Sequence, residues 1–341
     1  MTQTLPILIV GLPRSGTTWV GEVFSSARNT NYIFEPDNEG LSPLAWLCKR
    51  DMHRFPYLAA KDESTDYHHL WRTTMDGTGW TWLANNALSM FLRKRFAEVE
   101  THIGDKSGYV YVDRSMHRVG EKRMRAYRLE EHPVLAFLVR QLITRRALHH
   151  RNRRTIVKSV HATLSADWIS SHFPVQMVFV LRNAYSLYAS YKRMKIPDGF
   201  RNLLSQEILQ RDSSQYHLKR AFMVEKDEPI VFQIMLMYKI IESQISAHPE
   251  WTLISHDRLC MVPHVGYRQA FESLGLEWSN ETDIRIDALN KSGKGFDPKR
   301  VSDQQPFKWK SEINSGEQTM IEKWIDVFGL NSFFQTYIDL I

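Results

Sequence analysis

Leu5-Pro6-Ile7-Leu8-Ile9-Val10-Gly11-Leu12-Pro13-Arg14-Ser15-Gly16-Thr17-Thr18 reads as an apolar strand that breaks into a glycine-gated turn and then into a helix beginning near Thr17. Consecutive backbone N–H groups at such a turn point into one concavity. The helix N-terminus behind them carries about half an elementary positive charge, so an anionic group is held there with little side-chain help. The stretch from Pro13 to Thr18, with Arg14, Ser15, Gly16 and Thr17 between, is therefore a candidate phosphate cradle.

The loop fits G-x-x-x-x-G-x-[ST], but Thr17 stands where a Walker A loop has the lysine that reaches the β and γ phosphates. The cation is Arg14, inside the loop. That suits a 5′-phosphate bearing a transferable group better than a triphosphate with magnesium. A second junction follows the β-rich run Val175 to Leu181, where Arg182-Asn183-Ala184-Tyr185-Ser186-Leu187-Tyr188-Ala189-Ser190 places an arginine at a strand end and a serine eight residues on. An arginine fork matches phosphate bidentately, and a serine two turns into the next helix adds a hydroxyl donor.

The stretch PRSGTTW together with the Arg182 to Ser190 segment resembles the sulfotransferases that use 3′-phosphoadenosine 5′-phosphosulfate (PAPS), in their carbohydrate-type or bacterial-type branches. The His256 to Leu259 segment (HDRL) and the C-terminal helix resemble them more loosely. The resemblance implies a three-layer α/β/α P-loop fold with a central parallel sheet. It also implies PAPS as co-substrate and adenosine 3′,5′-bisphosphate (PAP) as product, with no metal. Pro13 to Thr18 would hold the 5′-phosphosulfate, and Arg182 and Ser190 the 3′-phosphate. Arg14 would meet the negative charge developing on the bridging oxygen. Lys291 to Lys310 sits where the family folds a loop across the nucleotide, with Lys294, Lys299 and Arg300 as candidate contacts. Ser302, Asp303 and Gln304 replace the RKG triplet of phenol-type members.

Two groups compete for the general base. Tyr32-Ile33-Phe34-Glu35-Pro36 resembles the FEP segment of carbohydrate-type members, and several branches of the superfamily use a glutamate at about this place as general base; the bland reading of Glu35 is a carboxylate that starts a helix. His161 is the rival, since phenol-type members use a histidine. It precedes Arg182 by only twenty-one residues, unlike theirs, and is read as substrate-facing or structural. Lys158, ending the run Thr155 to Lys158, either faces the sulfate or marks the wet end of a strand.

The β signals at Leu5 to Val10, Tyr32 to Phe34, Thr155 to Lys158, Gln176 to Leu181 and Thr252 to Ser255 alternate with helical pattern, which itself implies a parallel sheet between helices. Residues 1–341 are expected to form one domain, with a helical insertion at about 41–152 over the active site. It includes helical patterns at Trp80 to Val99 and Val134 to Leu148. Tyr67, Trp71, Trp80 and Trp82 lie in it and read as core more readily than as a sugar platform. Ser279 to Glu312 reads as a loop, and Ser315 to Phe328 as an amphipathic helix stopped by Gly329.

Composition narrows the partners. Of the 341 residues 43% are hydrophobic, enough for a sizeable core, and the net charge of +6 with a pI near 9.2 suits an anionic ligand. The basic runs Glu121 to Arg128 and Arg145 to Arg154 come with no nucleic-acid-binding motif, so no nucleic-acid partner is expected. The absence of an 18- to 20-residue apolar run speaks against a membrane span. Two distant cysteines, Cys48 and Cys260, fit a reducing compartment, and the expectation is a cytoplasmic enzyme whose acceptor is a glycan or small molecule. The competing functions are a P-loop kinase of a small substrate and a non-catalytic nucleotide-binding protein.

Overall fold

The computed structural model describes residues 4–38, 45, 48–49, 52–75, 153–194, 203–204, 206–212, 228–293 and 298–337. Its centre is a five-stranded sheet of β1 (Ile7–Val10), β2 (Thr30–Phe34), β3 (Arg154–Lys158), β4 (Gln176–Leu181) and β5 (Thr252–Ser255), in the order β2-β3-β1-β4-β5. Every pairing is parallel, with Ile9 opposite both Lys158 and Val178, and Phe34 opposite Lys158. All four residues of β1 are fully buried, as a middle strand covered on both faces requires.

The helices are α1 (Thr17–Phe24), α2 (Thr65–Met75), α3 (Ala166–His172), α4 (Ala184–Met194), α5 (Glu207–Arg211), α6 (Pro229–Ala247), α7 (His256–Met261), α8 (Pro263–Leu274), α9 (Asn280–Leu289), α10 (Ser315–Phe328) and α11 (Asn331–Tyr337). Alternate strand residues face opposite layers. Leu8, Val10, Val157, Phe179 and Leu181 pack against α2, α3, α4, α6 and α10, while Ile7, Ile9, Ile156, Val178 and Val180 pack against α1, α8 and α9. Each fully buried aliphatic or phenyl side chain contributes about 1.5–3 kcal/mol of transfer free energy, so the two apolar layers fix the sandwich.

Several expectations meet the structure directly. α10 spans the expected residues, opens with a reciprocal Asn314–Glu317 capping box and stops at Gly329 in the left-handed region, φ 64°. Ser279 to Glu312 is not one loop, however, because Asn280–Leu289 is helical. Glu281 and Asp283 sit in its first turn, where carboxylates favour a helix start, and only Thr282, Ile286 and Leu289 are buried. The apolar stripe is too thin to read as a helix by periodicity.

Of the expected insertion, α2 is helical, and Tyr67 and Trp71 lie fully buried in the main core. Trp80, Trp82 and the helical patterns at 80–99 and 134–148 lie outside the described residues. α6 is 19 residues long and apolar enough, by length and composition, to cross a membrane, yet two thirds of its apolar window is buried inside the fold, against α4 and α10.

Candidate functional site

Because all five strands are parallel, their carboxyl ends meet along one edge, which is where open α/β sheets hold ligands. β1 is followed by the glycine loop, β2 by Glu35, β4 by Arg182 and β5 by His256, and β3 ends in Lys158.

The loop has the backbone of an anion cradle. Arg14 is left-handed (φ 72°), Gly16 has φ 96°, and α1 begins at Thr17 with no side-chain cap among the described residues, leaving its first-turn amides open to a ligand. The Gly11 amide donates to Thr163 Oγ1 (3.1 Å), and Ser15 N donates to the Leu12 carbonyl (3.0 Å), so the loop is fixed at both ends. Gly16 is needed twice over. A Cβ there would overlap the His256 ring, and the backbone angle is one that L-residues rarely adopt. Gly16→Ala is expected to lower stability by about 1–3 kcal/mol and to abolish nucleotide binding, read by chemical denaturation and by calorimetry. An unchanged unfolding midpoint would show that the loop tolerates the side chain.

Arg14 Nε donates to Ser190 Oγ (3.2 Å), and Arg182 Nη1 donates to the Arg14 carbonyl (2.8 Å). The two candidate phosphate motifs, far apart in sequence, are thus contiguous. Burial, followed by the charges of Arg300, Arg182 and Arg193, pushes the Arg14 guanidinium down to about 10. Arginine charges that act on one another at this spot repel, and although Arg193 has a counter-charge in Glu312, the cluster as a whole favours an anion beside it. Arg182 Nε and Ser15 Oγ are buried with no hydrogen-bond partner among the described residues, a cost that a ligand phosphate would relieve. These residues fit a multiply charged phosphate compound.

Arg193 and Tyr191 flank Ser190 on α4, and the sequence reading missed them, although the i to i+3 spacing from Ser190 puts Arg193 on the same helix face. Of the candidate loop contacts, Arg300 lies close enough for its charge to act on Arg14; Lys299 precedes it, and Lys294 lies outside the described residues. In the FKWK segment, Trp309 stacks on Tyr185 at 4.6 Å.

On the other side of the loop, Lys158 is buried and ion-paired with Glu35, so it is not a wet strand end. Glu35 starts no helix. It is 4% exposed with φ 47°, and its second carboxylate oxygen accepts from Val160 N (3.2 Å). Burial by itself would raise its pKa, but the Lys158 ammonium, the neighbouring His161 and the hydrogen bonds from Lys158 and Val160 hold the carboxyl below its ordinary value. The carboxyl is thereby held in its ionised form. The Lys158 ammonium lies 4.7 Å from the centre of the half-exposed Phe34 ring.

His161 is also buried nearby, but its Nε2 accepts a hydrogen bond from Arg54 Nε (3.2 Å), so that lone pair is engaged. Asp37 lies beneath, accepting from Ser159 Oγ and from Tyr67 Oη (3.1 Å), while Lys49 Nζ donates to its carbonyl (2.9 Å). Burial foremost raises the Asp37 carboxyl above its usual range. Asp37 was within reach of the sequence, two residues beyond Glu35; Lys49 and Arg54 carry no local signal.

The sequence pattern of the sulfotransferase family matches residues 6–230. Among solved structures, the chain is similar to the sulfotransferase domain from the curacin biosynthetic pathway, at 12% identity and TM-score 0.44, over 94% of this chain and 98% of that one. It is similar to sulfotransferase STF9 from Mycobacterium avium at 11% identity and TM-score 0.41, over 96% and 78%. The sulfotransferase domain from the Synechococcus PCC 7002 olefin synthase gives 14% identity and TM-score 0.45, over 96% of each chain. No curated protein sequence matches.

Proposed function

The chain belongs to the sulfotransferase family, and from that premise we propose that it moves a sulfuryl group from PAPS to a hydroxyl of a glycan or small natural product by in-line displacement, releasing PAP. The observation that carries the donor assignment is the arginine cluster around Arg14, with a buried Arg182 Nε left unpartnered among the described residues. PAPS supplies the activated sulfuryl group, and a donor with phosphates at both ends of a ribose matches two adjoining basic subsites. Arg182, Ser190 and Arg193 hold the 3′-phosphate. The loop amides and Arg14 hold the 5′-phosphosulfate and stabilise the charge on the bridging oxygen as its bond to sulfur breaks. Glu35 takes the acceptor's hydroxyl proton as the new oxygen–sulfur bond forms. Lys158 orients that carboxylate and faces the transferred group. The two buried thiols, Cys48 and Cys260, accord with work in the reducing cytoplasm.

Two measurements test this. Incubation with labelled PAPS and a panel of glycan and small-molecule hydroxyls, read by mass, should show sulfate transfer. Transfer of phosphate from ATP instead would replace the reading with a kinase, and tight PAP binding with no turnover on any acceptor would leave a nucleotide-binding protein. Calorimetry with PAP should show Arg182→Ala weakening binding by about 1.5–3 kcal/mol and Ser190→Ala by about 1, because a charge-assisted bond outweighs a neutral one. Unchanged affinity in Arg182→Ala removes the 3′-phosphate assignment.

A further inference from the structure

Asp257, in the HDRL segment at the start of α7, is 1% exposed, and both its carboxylate oxygens accept from one residue, Asn183. The Asn183 amide donates to Oδ2 (2.9 Å) and its Nδ2 donates to Oδ1 (2.7 Å). With its NH₂ group committed there, Asn183 turns its own Oδ1 to accept from Ser186 N (2.7 Å), which caps the first turn of α4. One residue back, the Tyr238 hydroxyl donates to the Arg182 carbonyl and accepts from Arg182 N (3.3 Å). The strand-to-helix turn that carries Arg182 is therefore held by buried side chains from two distant elements. Ser190 lies two turns along α4, so the direction of that first turn sets where its hydroxyl stands relative to Arg182.

His256, next to Asp257, packs its ring against Gly16, and burial together with Arg182 and Arg14 keeps the imidazole well below its usual pKa and neutral. The first turn of α7 thus touches both phosphate subsites through adjacent residues. Its start is fixed in turn by Ser255 Oγ, which accepts from Arg258 N (3.3 Å).

We propose that Asp257 is a positioning residue for the 3′-phosphate subsite, and that its two hydrogen bonds to Asn183 set the preference for a 3′-phosphorylated adenosine nucleotide over one that lacks the 3′-phosphate. This rests on the donor assignment made above. A carboxylate with two acceptors matches the two Asn183 donors. In Asp257→Asn one of the two Asn183 donors must face the new amide: if it is Nδ2, Asn183 turns and α4 loses its cap, and if it is the backbone N–H, the turn that carries Arg182 is released. The 5′ subsite is built from the loop, whose own hydrogen bonds at Gly11 and Ser15 run to Thr163 and Leu12 and not to Asn183.

The test is calorimetry with two probes, adenosine 3′,5′-bisphosphate and adenosine 5′-monophosphate. Asp257→Asn should weaken the bisphosphate by about tenfold or more, while the monophosphate stays within about threefold. The reversed pair Asp257→Asn with Asn183→Asp restores a donor opposite each acceptor, since the carboxylate now on α4 can accept both from Ser186 N and from the side-chain amide introduced on α7. It should recover the bisphosphate preference, which loss of a merely stabilising contact would not. Loss of both nucleotides alike in Asp257→Asn, or failure of the reversed pair to recover the preference, overturns the proposal. If Asp257→Asn does not fold, the reversed pair decides alone: a wild-type preference supports the role and a lost one refutes it. Wild-type protein that shows no preference for the bisphosphate overturns the donor assignment itself, whereas a wild-type preference that Asp257→Asn keeps overturns only the role of Asp257.

Discussion

Arg14→Ala is expected to lower sulfate transfer by about 10²- to 10³-fold, the usual effect of removing a donor aimed at charge that develops in the transition state. The guanidinium is held in the loop beside Ser190, partly desolvated, in the field of three further arginines. Its positive charge therefore acts at a low local dielectric, where it counts for more than in water. Nucleotide affinity should fall less than the rate, because Arg182 and the loop amides remain. Added magnesium should not restore the rate, and wild-type transfer should persist in excess EDTA, since in the proposed mechanism these cations meet the leaving-group charge and the lysine position of a Walker A loop is Thr17, 2% exposed. A strict requirement for a divalent cation, or an Arg14→Ala protein with normal turnover, would move the leaving-group role elsewhere.

Glu35→Gln should cut turnover by about 10²-fold or more while leaving PAP affinity near wild type, because the amide keeps the shape but accepts no proton. The substitution also leaves the Lys158 ammonium buried without its counter-charge, and losing one partner of a buried pair costs about 3–5 kcal/mol. Unfolding must therefore be measured beside the rate, at a temperature where the variant stays folded. The direction of the Glu35 shift fixes the pH behaviour. A carboxyl whose folded pKa lies below its unfolded one adds stability that is present above the unfolded value and is lost as pH falls through the folded value. The acid limb of the turnover profile should accordingly lie below the ordinary carboxylate range. Normal turnover in Glu35→Gln, with His161→Ala inactive, would transfer the base to His161 and require its Nε2 to leave Arg54.

The elements of the candidate site, and α10, were legible because their signals are local. A glycine loop after an apolar run, an arginine at the end of VQMVFVL and a capped helix ending in Gly329 depend on residues within a turn or two of each other. Near-neighbour sterics and hydrogen bonding suffice to specify them. The starts of β2 and β3 were off by a residue or two, at Thr30 and Arg154, where polar residues begin strands that pairing with a neighbour completes. α9 was misread for the same reason in reverse: Ile284 on it is 66% exposed, so the helix rests on its charged first turn and on packing against α1 and α8 more than on an apolar stripe.

The sequence by itself determined a parallel α/β sandwich, the anion loop and the arginine–serine motif. Only the tertiary structure decided that Glu35 pairs with Lys158 across 123 residues, that Arg14 meets Ser190 across 176, and that Asp257 clamps Asn183 across 74. Those contacts follow from the order β2-β3-β1-β4-β5 and its register, which set Phe34 beside Lys158 and bring the carboxyl ends of β1 and β4 together. A strand's own residues encode its period and its faces. Which strand lies next to it is fixed by burying all faces at once, and no single stretch of the chain contains that information.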